Sequence, residues 1–343
     1  MSKIHLKNKA VTIIALFVLL FICFVLCLSL GSVRISPKEI FKAIIYGGDR
    51  FASDSLPLKT VIIVRSIRLP RVVGGLLAGV GLSVAGVLLQ GVMNNVLAGP
   101  NTIGVGSGAG FCVMLSMLML PGVTWAIPVF AFAGALIATL LIFALAYFSN
   151  TSRVTIILAG ITVSSFLSAG INLIKTLNTD IIININSFLM GNLSGVTFGS
   201  VWLPGIGITV GLMLAILFSK HLNMLGLGEG VATSLGMRVS AVRFILLVIA
   251  SVLAGCVVSY AGLLSFAGLI VPHICRRFFG NDARFLIPCS ALLGGSFVIM
   301  CDLLSRILFS PYELPTGIIM SFIGGPFFIY LLIRKKGGRR IHA

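Results

Sequence analysis

Residues 77–88 read LAGVGLSVAGVL, and residues 253–264 read LAGCVVSYAGLL. Aligned without gaps, the two stretches share Leu, Ala, Gly, Ser, Ala, Gly and Leu in register. Each lies in an apolar run long enough to cross the hydrocarbon core of a bilayer, which takes about 20 residues in a helix. The meaning of the repeat depends on how many such runs separate the copies and on which way each copy points.

Working outward, apolar runs lie near residues 10–30, 67–93, 101–120, 124–148, 154–176, 198–219, 241–262, 264–279, 284–308 and 314–333. The expected fold is all-α, a single polytopic transmembrane domain over residues 1–343 with about ten helices. The third run is Gly-rich at its start. The eighth is short, and Pro272 is expected to break it. With the N-terminus inside, the first copy of the repeat runs inward and the second outward. That arrangement is an inverted-topology repeat, whose halves rock about a central path. Chance is the competing account, because Ala, Gly and Leu are common in membrane helices. Small residues also recur at four-residue spacing, as in Gly75/Gly79, Gly104/Gly108, Gly106/Gly110 and Gly207/Gly211, which predicts close helix packing.

Composition supports the membrane reading. The chain is 58% hydrophobic and 10% charged, whereas a soluble domain carries about 25% charged residues. A net charge of +17 suits basic ends and loops on the cytoplasmic side, near anionic lipid. No aromatic-interleaved basic patch points to nucleic acid. Lys3, Lys7, Lys9, Arg153, Lys220, Arg238, Arg243 and the basic C-terminal tail place both termini in the cytoplasm. The bias is moderate, because Arg34, Lys38, Lys42, Arg50 and Lys59 fall outside, in a segment suited to an acidic partner. The first run follows three lysines and has no clear cleavage site, so it is kept as a helix rather than a signal peptide.

Little in the sequence points to catalysis. Cysteines 23, 27, 112, 256, 275, 289 and 301 form no CxxC pair and read as small buried hydrophobes. His273 with Cys275 offers two ligands, too few for a metal site. Among only eight carboxylates, Asp302 sits inside the ninth run with Arg306 one turn on, an i,i+4 pair. A charge at mid-bilayer costs about 3 kcal/mol, so this pair requires protein or water around it. No second carboxylate is expected at that depth; Lys175 and Glu313 fall near span ends. With no nucleophile–base pair, no catalytic residue is assigned and the chain does not read as an enzyme. An ion-coupled secondary transporter on inverted repeats remains an alternative. No Gly-Lys dipeptide occurs, hence no P-loop, so any ATP must be held by another chain. The stretch 225–243, LGLGEGVATSLGMRVSAVR, is polar and Gly-bounded. It has room for one short surface helix that docks in a groove of a cytosolic partner, or it is an ordinary inner loop.

These residues resemble a known family, the permease subunits of ABC importers for iron–siderophores, haem and cobalamin, the ten-helix type II importers. The likeness covers nearly the whole chain. It rests on RLPR (68–71), Gln90–Gly91 followed by NVLAGP (95–100), GVGSGAG (104–110), TSR and LAG (151–153, 158–160), and LGEGVATSLG (227–236). Further on come SFAGLIVPHICR (265–276), DLLSR (302–306), ELPTG (313–317) and GGPFFIYLL (324–332). The resemblance implies two permease copies, as homodimer or heterodimer, on two ABC ATPase subunits. An extracytoplasmic substrate-binding protein delivers an iron complex or cobalamin. It implies a bacterial plasma-membrane location, no cofactor on this chain, and ATP with Mg on the ATPase. It assigns Glu229, Ala232, Ser234, Leu235, Gly236 and Arg238 to the coupling helix. Arg68, Arg71 and Arg306 are assigned to binding-protein docking. Asn95, Leu97, Thr151 and Ser152 are assigned to an inner gate, and the fifth and tenth helices to the central cavity. Val96 departs from the family's Asn-Pro-Leu pattern, and Gly99 and Gly230 replace usual acids. The resemblance does not choose the cargo.

Overall fold

The structure, a computed structural model, describes residues 9–31, 33–46, 57–148, 153–178 and 182–337. Its described part is helical, without strands. The helices are α1 (Lys9–Ser29), α2 (Pro37–Tyr46), α3 (Leu58–Ile62), α4 (Leu69–Met93), α5 (Val105–Met119), α6 (Ala126–Phe148), α7 (Arg153–Leu177) and α8 (Ile182–Met190). There follow α9 (Phe198–Leu217), α10 (Ser219–Gly226), α11 (Glu229–Ser234), α12 (Val239–Ala261), α13 (Ala267–Phe279), α14 (Ala283–Ile307) and α15 (Thr316–Gly337). Every one of the ten apolar runs is a helix: α1, α4, α5, α6, α7, α9, α12, α13, α14 and α15. Among the described residues, seven helical segments are long and apolar enough to cross a membrane.

The repeat reappears as packing. Helices α4 and α12, which carry the two copies, pack on each other. Helix α4 also packs on α13 and α14, and α12 on α5 and α6. The pairs α5–α6 and α13–α14 correspond, as do α6–α7 and α14–α15. Four spans, α5, α6, α7 and α9, lie between α4 and α12, so the two run in opposite directions. Helix α4 is the hub: 83% of its apolar window is buried, against 22% for α7 and α9.

Small residues set the spacing at the hub. A Cβ on Gly79 would lie 2.1 Å from the Gly294 carbonyl oxygen of α14, and one on Gly86 would lie 1.8 Å from that of Gly268 on α13. Without a driving force from water, helices in lipid associate by such close backbone contact. Gly86→Ala is therefore expected to push α13 away and to cost about 1–3 kcal/mol, the usual penalty of overpacking. Thermal unfolding of the purified permease in detergent checks this; an unchanged midpoint would show that α13 yields freely.

Three local expectations are corrected. Pro272 does not break α13, which runs through it. The proline removes the N–H that would meet the Gly268 carbonyl four residues back, but Gln90 Nε2 of α4 donates to that oxygen at 3.2 Å. A neighbouring helix thus satisfies the freed group, as the bilayer demands. The helix starts at Ala267 rather than 264, because Gly262 (φ +67°) and Phe266 (φ +68°) turn the chain before it. The second span begins early: helix runs from Leu58, passing through a π-helical turn at Ile63–Arg68 into α4. Its buried Val64 joins Ile40 and Ala43 of α2 and Cys27 of α1 in a separate apolar cluster. Helix α2 was not legible as a span; it begins with a capping box, in which Ser36 N–H and Oγ both donate to Glu39 Oε2 at 2.9 Å. These bonds, the backbone one foremost, hold the Glu39 carboxyl below its usual range.

Candidate functional site

At the outer end of the bundle, α4, α14 and the turn into α15 bring five polar side chains together. Arg71 Nε lies 3.0 Å from both Asp302 oxygens. Arg306 Nε lies 3.3 Å from Asp302 Oδ2, and Thr316 Oγ1 donates to Asp302 Oδ1 at 3.0 Å. Arg71 Nη1 also meets Glu313 Oε2 at 2.7 Å. The pairing of Asp302 with Arg306 follows from their spacing. That Glu313 would join the same cluster does not, because only the folded turn between α14 and α15 carries it to Arg71.

This geometry corrects the placement of the docking arginines. Arg68, Arg71 and Arg306 are 4%, 3% and 4% exposed, not arrayed on the outer surface. Arg68 Nη1 donates to the carbonyls of Leu28 (2.6 Å) and Ser29 (3.2 Å), and its Nη2 to that of Val33. Arg306 Nη2 donates to the Cys27 carbonyl at 3.1 Å. The C-terminal end of α1 presents the Cys27, Leu28 and Ser29 carbonyls, with Val33 just beyond it, so the cations are drawn inward to acceptors that no helix hydrogen bond satisfies. The exposed cations of this end are instead Arg34, Lys38, Lys42, Lys59 and Arg65.

At the inner end of α4, Asn94 takes a left-handed conformation (φ +46°), and Asn95 Oδ1 accepts from the Leu97 N–H at 3.0 Å. This tight turn leaves Leu97 about half exposed at 48%. The other half of the expected gate, Thr151 and Ser152, lies outside the described residues.

The stretch that read as a short surface helix is α11. Glycines set both its ends: Gly228 (φ +107°) and Gly236 (φ +81°) hold angles that an L side chain resists. Ala232 and Met237 are buried, anchoring one side. Ser234, Gly236 and Arg238 are exposed, and so are Leu227 (64%), Val231 (47%) and Leu235 (59%), which recur every four residues. Glu229 Oε1 meets the buried Arg243 Nη2 of α12 at 2.6 Å. At the base, Asn223 of α10 donates from Nδ2 to Asp282 Oδ1 and accepts at Oδ1 from the Ala283 N–H, both at 2.8 Å. The short element is thus tied to α12 and to the start of α14. Sequence reading missed Arg243, Asn223 and Asp282 in these roles; only Asp282 carried a local signal, as the N-cap of α14.

Among the described residues no three His, Cys, Asp or Glu side chains gather to hold a metal ion. The seven cysteines are free, all buried except the half-buried Cys112.

Comparison with known proteins extends this geometry. The FecCD transport family matches residues 19–334. The uncharacterized ABC transporter permease protein YvrB of Bacillus subtilis (strain 168) is 38% identical, over 99% of each chain. From the same organism, the iron(3+)-hydroxamate import system permease protein FhuB is 35% identical over 91% of this chain and 80% of its own. The Fe(3+)-citrate import system permease protein YfmD, also of that organism, is 34% identical over 96% and 97%. A solved structure assigned to the metal-chelate type of ABC transporter, in an inward-facing conformation, superposes with a TM-score of 0.79 at 26% identity, over 95% of this chain and 99% of that one. The family model and these relatives each match more than nine tenths of this chain. The chain belongs to the FecCD transport family, as a transmembrane permease subunit of an ABC importer whose ATP hydrolysis falls to a separate ATPase subunit.

Proposed function

We propose that this chain imports a ferric chelate. The support is its similarity, over at least four fifths of each chain, to permeases of iron(3+)-hydroxamate and Fe(3+)-citrate import. Haem and cobalamin are the less supported cargoes. In this reading two copies of the permease pair across a central path in a bacterial plasma membrane, with both termini in the cytoplasm. A binding protein releases the chelate at the outer mouth. Partner ATPases hold ATP and Mg and seat α11 in a groove, where Leu227, Val231 and Leu235 are covered and Ser234 and Arg238 meet polar groups.

The observation that carries the reading is the mounting of α11. A helix of six residues transmits force only if it is fixed to something larger. The Glu229–Arg243 pair and the buried Ala232 fix it to α12, which packs on the hub α4. When ATP draws the ATPases together, α11 moves with them and α12 turns against α4. The mirrored halves rock, and the inner turn at Asn95–Leu97 opens as the outer end closes.

The test is uptake into proteoliposomes of a radiolabelled ferric chelate presented by its binding protein. Uptake is expected only when the ATPase and ATP are both present. Uptake driven by an ion gradient without the ATPase would replace this reading with secondary transport.

A further inference from the structure

A polar rail runs along α7. Ser164, Ser168 and Asn172 follow one another at four-residue spacing, and Lys175 completes the same face. With Asn101 and Ser107 they line a cleft of about 370 Å³ between α5, α7 and α8. From Ser164 to Lys175 the rail rises about 16 Å, roughly half the hydrocarbon thickness of a bilayer. Elsewhere α7 exposes Leu158, Ile161, Phe166 and Leu173 together with Thr162, Ser165 and Thr176, and the Thr162 and Thr176 hydroxyls donate to their own helix's carbonyls four residues back.

Three features mark the rail as a contact surface rather than chance. An asparagine amide or a lysine ammonium at this depth faces protein or an aqueous path, since lipid gives it no partner. Ser164 Oγ is buried and has no hydrogen-bond partner, yet it lines the cleft. The half-buried Lys175 ammonium meets one neutral group, Asn186 Oδ1 at 3.3 Å, and joins no salt bridge among the described residues. Asp180, five positions on, lies outside them. Among the described residues, every charged or polar side chain that lines the cleft is a cation, a hydroxyl or an amide.

On the central path that the family resemblance assigns to the fifth span, here α7, we infer that Lys175 makes passage selective for anionic, oxygen-rich chelates. Resting on the proposed import of ferric chelates, the inference adds their charge. Such complexes present carboxylate, hydroxamate or phenolate oxygens, which accept from serine hydroxyls, asparagine amides and an ammonium group. Spread over single hydroxyls, these contacts are each weak, so the chelate passes along them without being held. One cation on a low-dielectric wall raises the local concentration of anions over cations.

The test needs no cargo. Ser168→Cys is placed in the full chain assembled with its ATPase, and labelled at low ionic strength with an anionic sulfonatoethyl or a cationic trimethylammonioethyl methanethiosulfonate. Rates are read by mass and normalised to those of free cysteine; the parent chain, whose own thiols are mostly buried, supplies the background. The anionic reagent is expected to be favoured about fivefold, within the range of electrostatic focusing. Lys175→Gln should bring the normalised ratio to about one, and Lys175→Arg should keep it. Asn172→Cys repeats the test one turn nearer the cation and should show a larger ratio. Failure of both cysteines to label, or a ratio indifferent to Lys175→Gln, overturns the inference. Ferric chelate uptake is scored separately, so loss of the charge preference with uptake intact removes the rail's selectivity and leaves the import reading standing.

Discussion

Replacing Leu227, Val231 and Leu235 together by Ser is expected to weaken pairing with the ATPase by about 1,000-fold while leaving the permease folded. Burying a Leu or Val side chain is worth about 1.5–3 kcal/mol. Covering three half-open ones at the lower figure contributes roughly 4 kcal/mol, about three decades in Kd. All three point away from the bundle, so their loss creates no cavity. Glu229, Ala232 and the two flanking glycines, which shape α11, stay in place. Co-purification of the ATPase, set beside the thermal unfolding midpoint of the permease, separates the two effects. An ATPase that still pairs at wild-type strength would show that it grips another part of the inner face. A drop in the midpoint would show that the three side chains belong to the core of the bundle.

Asp302→Ala is expected to destabilise the permease by about 3–5 kcal/mol, the cost of removing one partner from a buried ion pair. Asp302 is 2% exposed and touches Arg71, Arg306 and Thr316. Without it the guanidiniums of Arg71 and Arg306 stay buried near Arg68, with Glu313 the remaining acid of the cluster, itself partly open at 41%. The loss should concentrate where α4, α14 and α15 meet, and hydrogen exchange there should quicken. Removing a cation as well, in Asp302→Ala with Arg306→Ala, should recover part of the stability, because fewer charges remain uncompensated. If the single variant unfolds within about 1 kcal/mol of wild type, water must reach the cluster and the arginines must be free to turn outward.

The two ends of the molecule differ in how far they could be read in advance. The short helix α11 was legible because its signals are local: Gly228 and Gly236 bound a short polar stretch between apolar runs, and backbone angles that favour glycine set the helix ends. The ten spans were legible for the same kind of reason, since bilayer thickness fixes the length of an apolar run. Pro272 misled because its consequence depends on Gln90, on another helix 182 positions earlier, which meets the orphaned carbonyl. The arginines misled more. Their positions in sequence say that cations stand near the outer end of a span, but not whether acceptors from α1 and α14 will draw them inward.

Sequence alone determined that the chain holds about ten apolar runs fit to cross a membrane, that no P-loop cradles a nucleotide, and that a polar, Gly-bounded stretch lies between spans, and it pointed to a repeat of two halves. All of these follow from periodicity, composition and single-residue stereochemistry, which act within a few turns of chain. Tertiary structure decided which charges meet. It joined Asp302, Glu313, Arg71 and Arg306 into an internal knot and tied Glu229 to Arg243. It also turned Ser164, Ser168, Asn172 and Lys175 toward a common cleft. Pairings of that kind depend on distances across helices remote in the chain, where each buried charge takes the best acceptor that packing puts within reach.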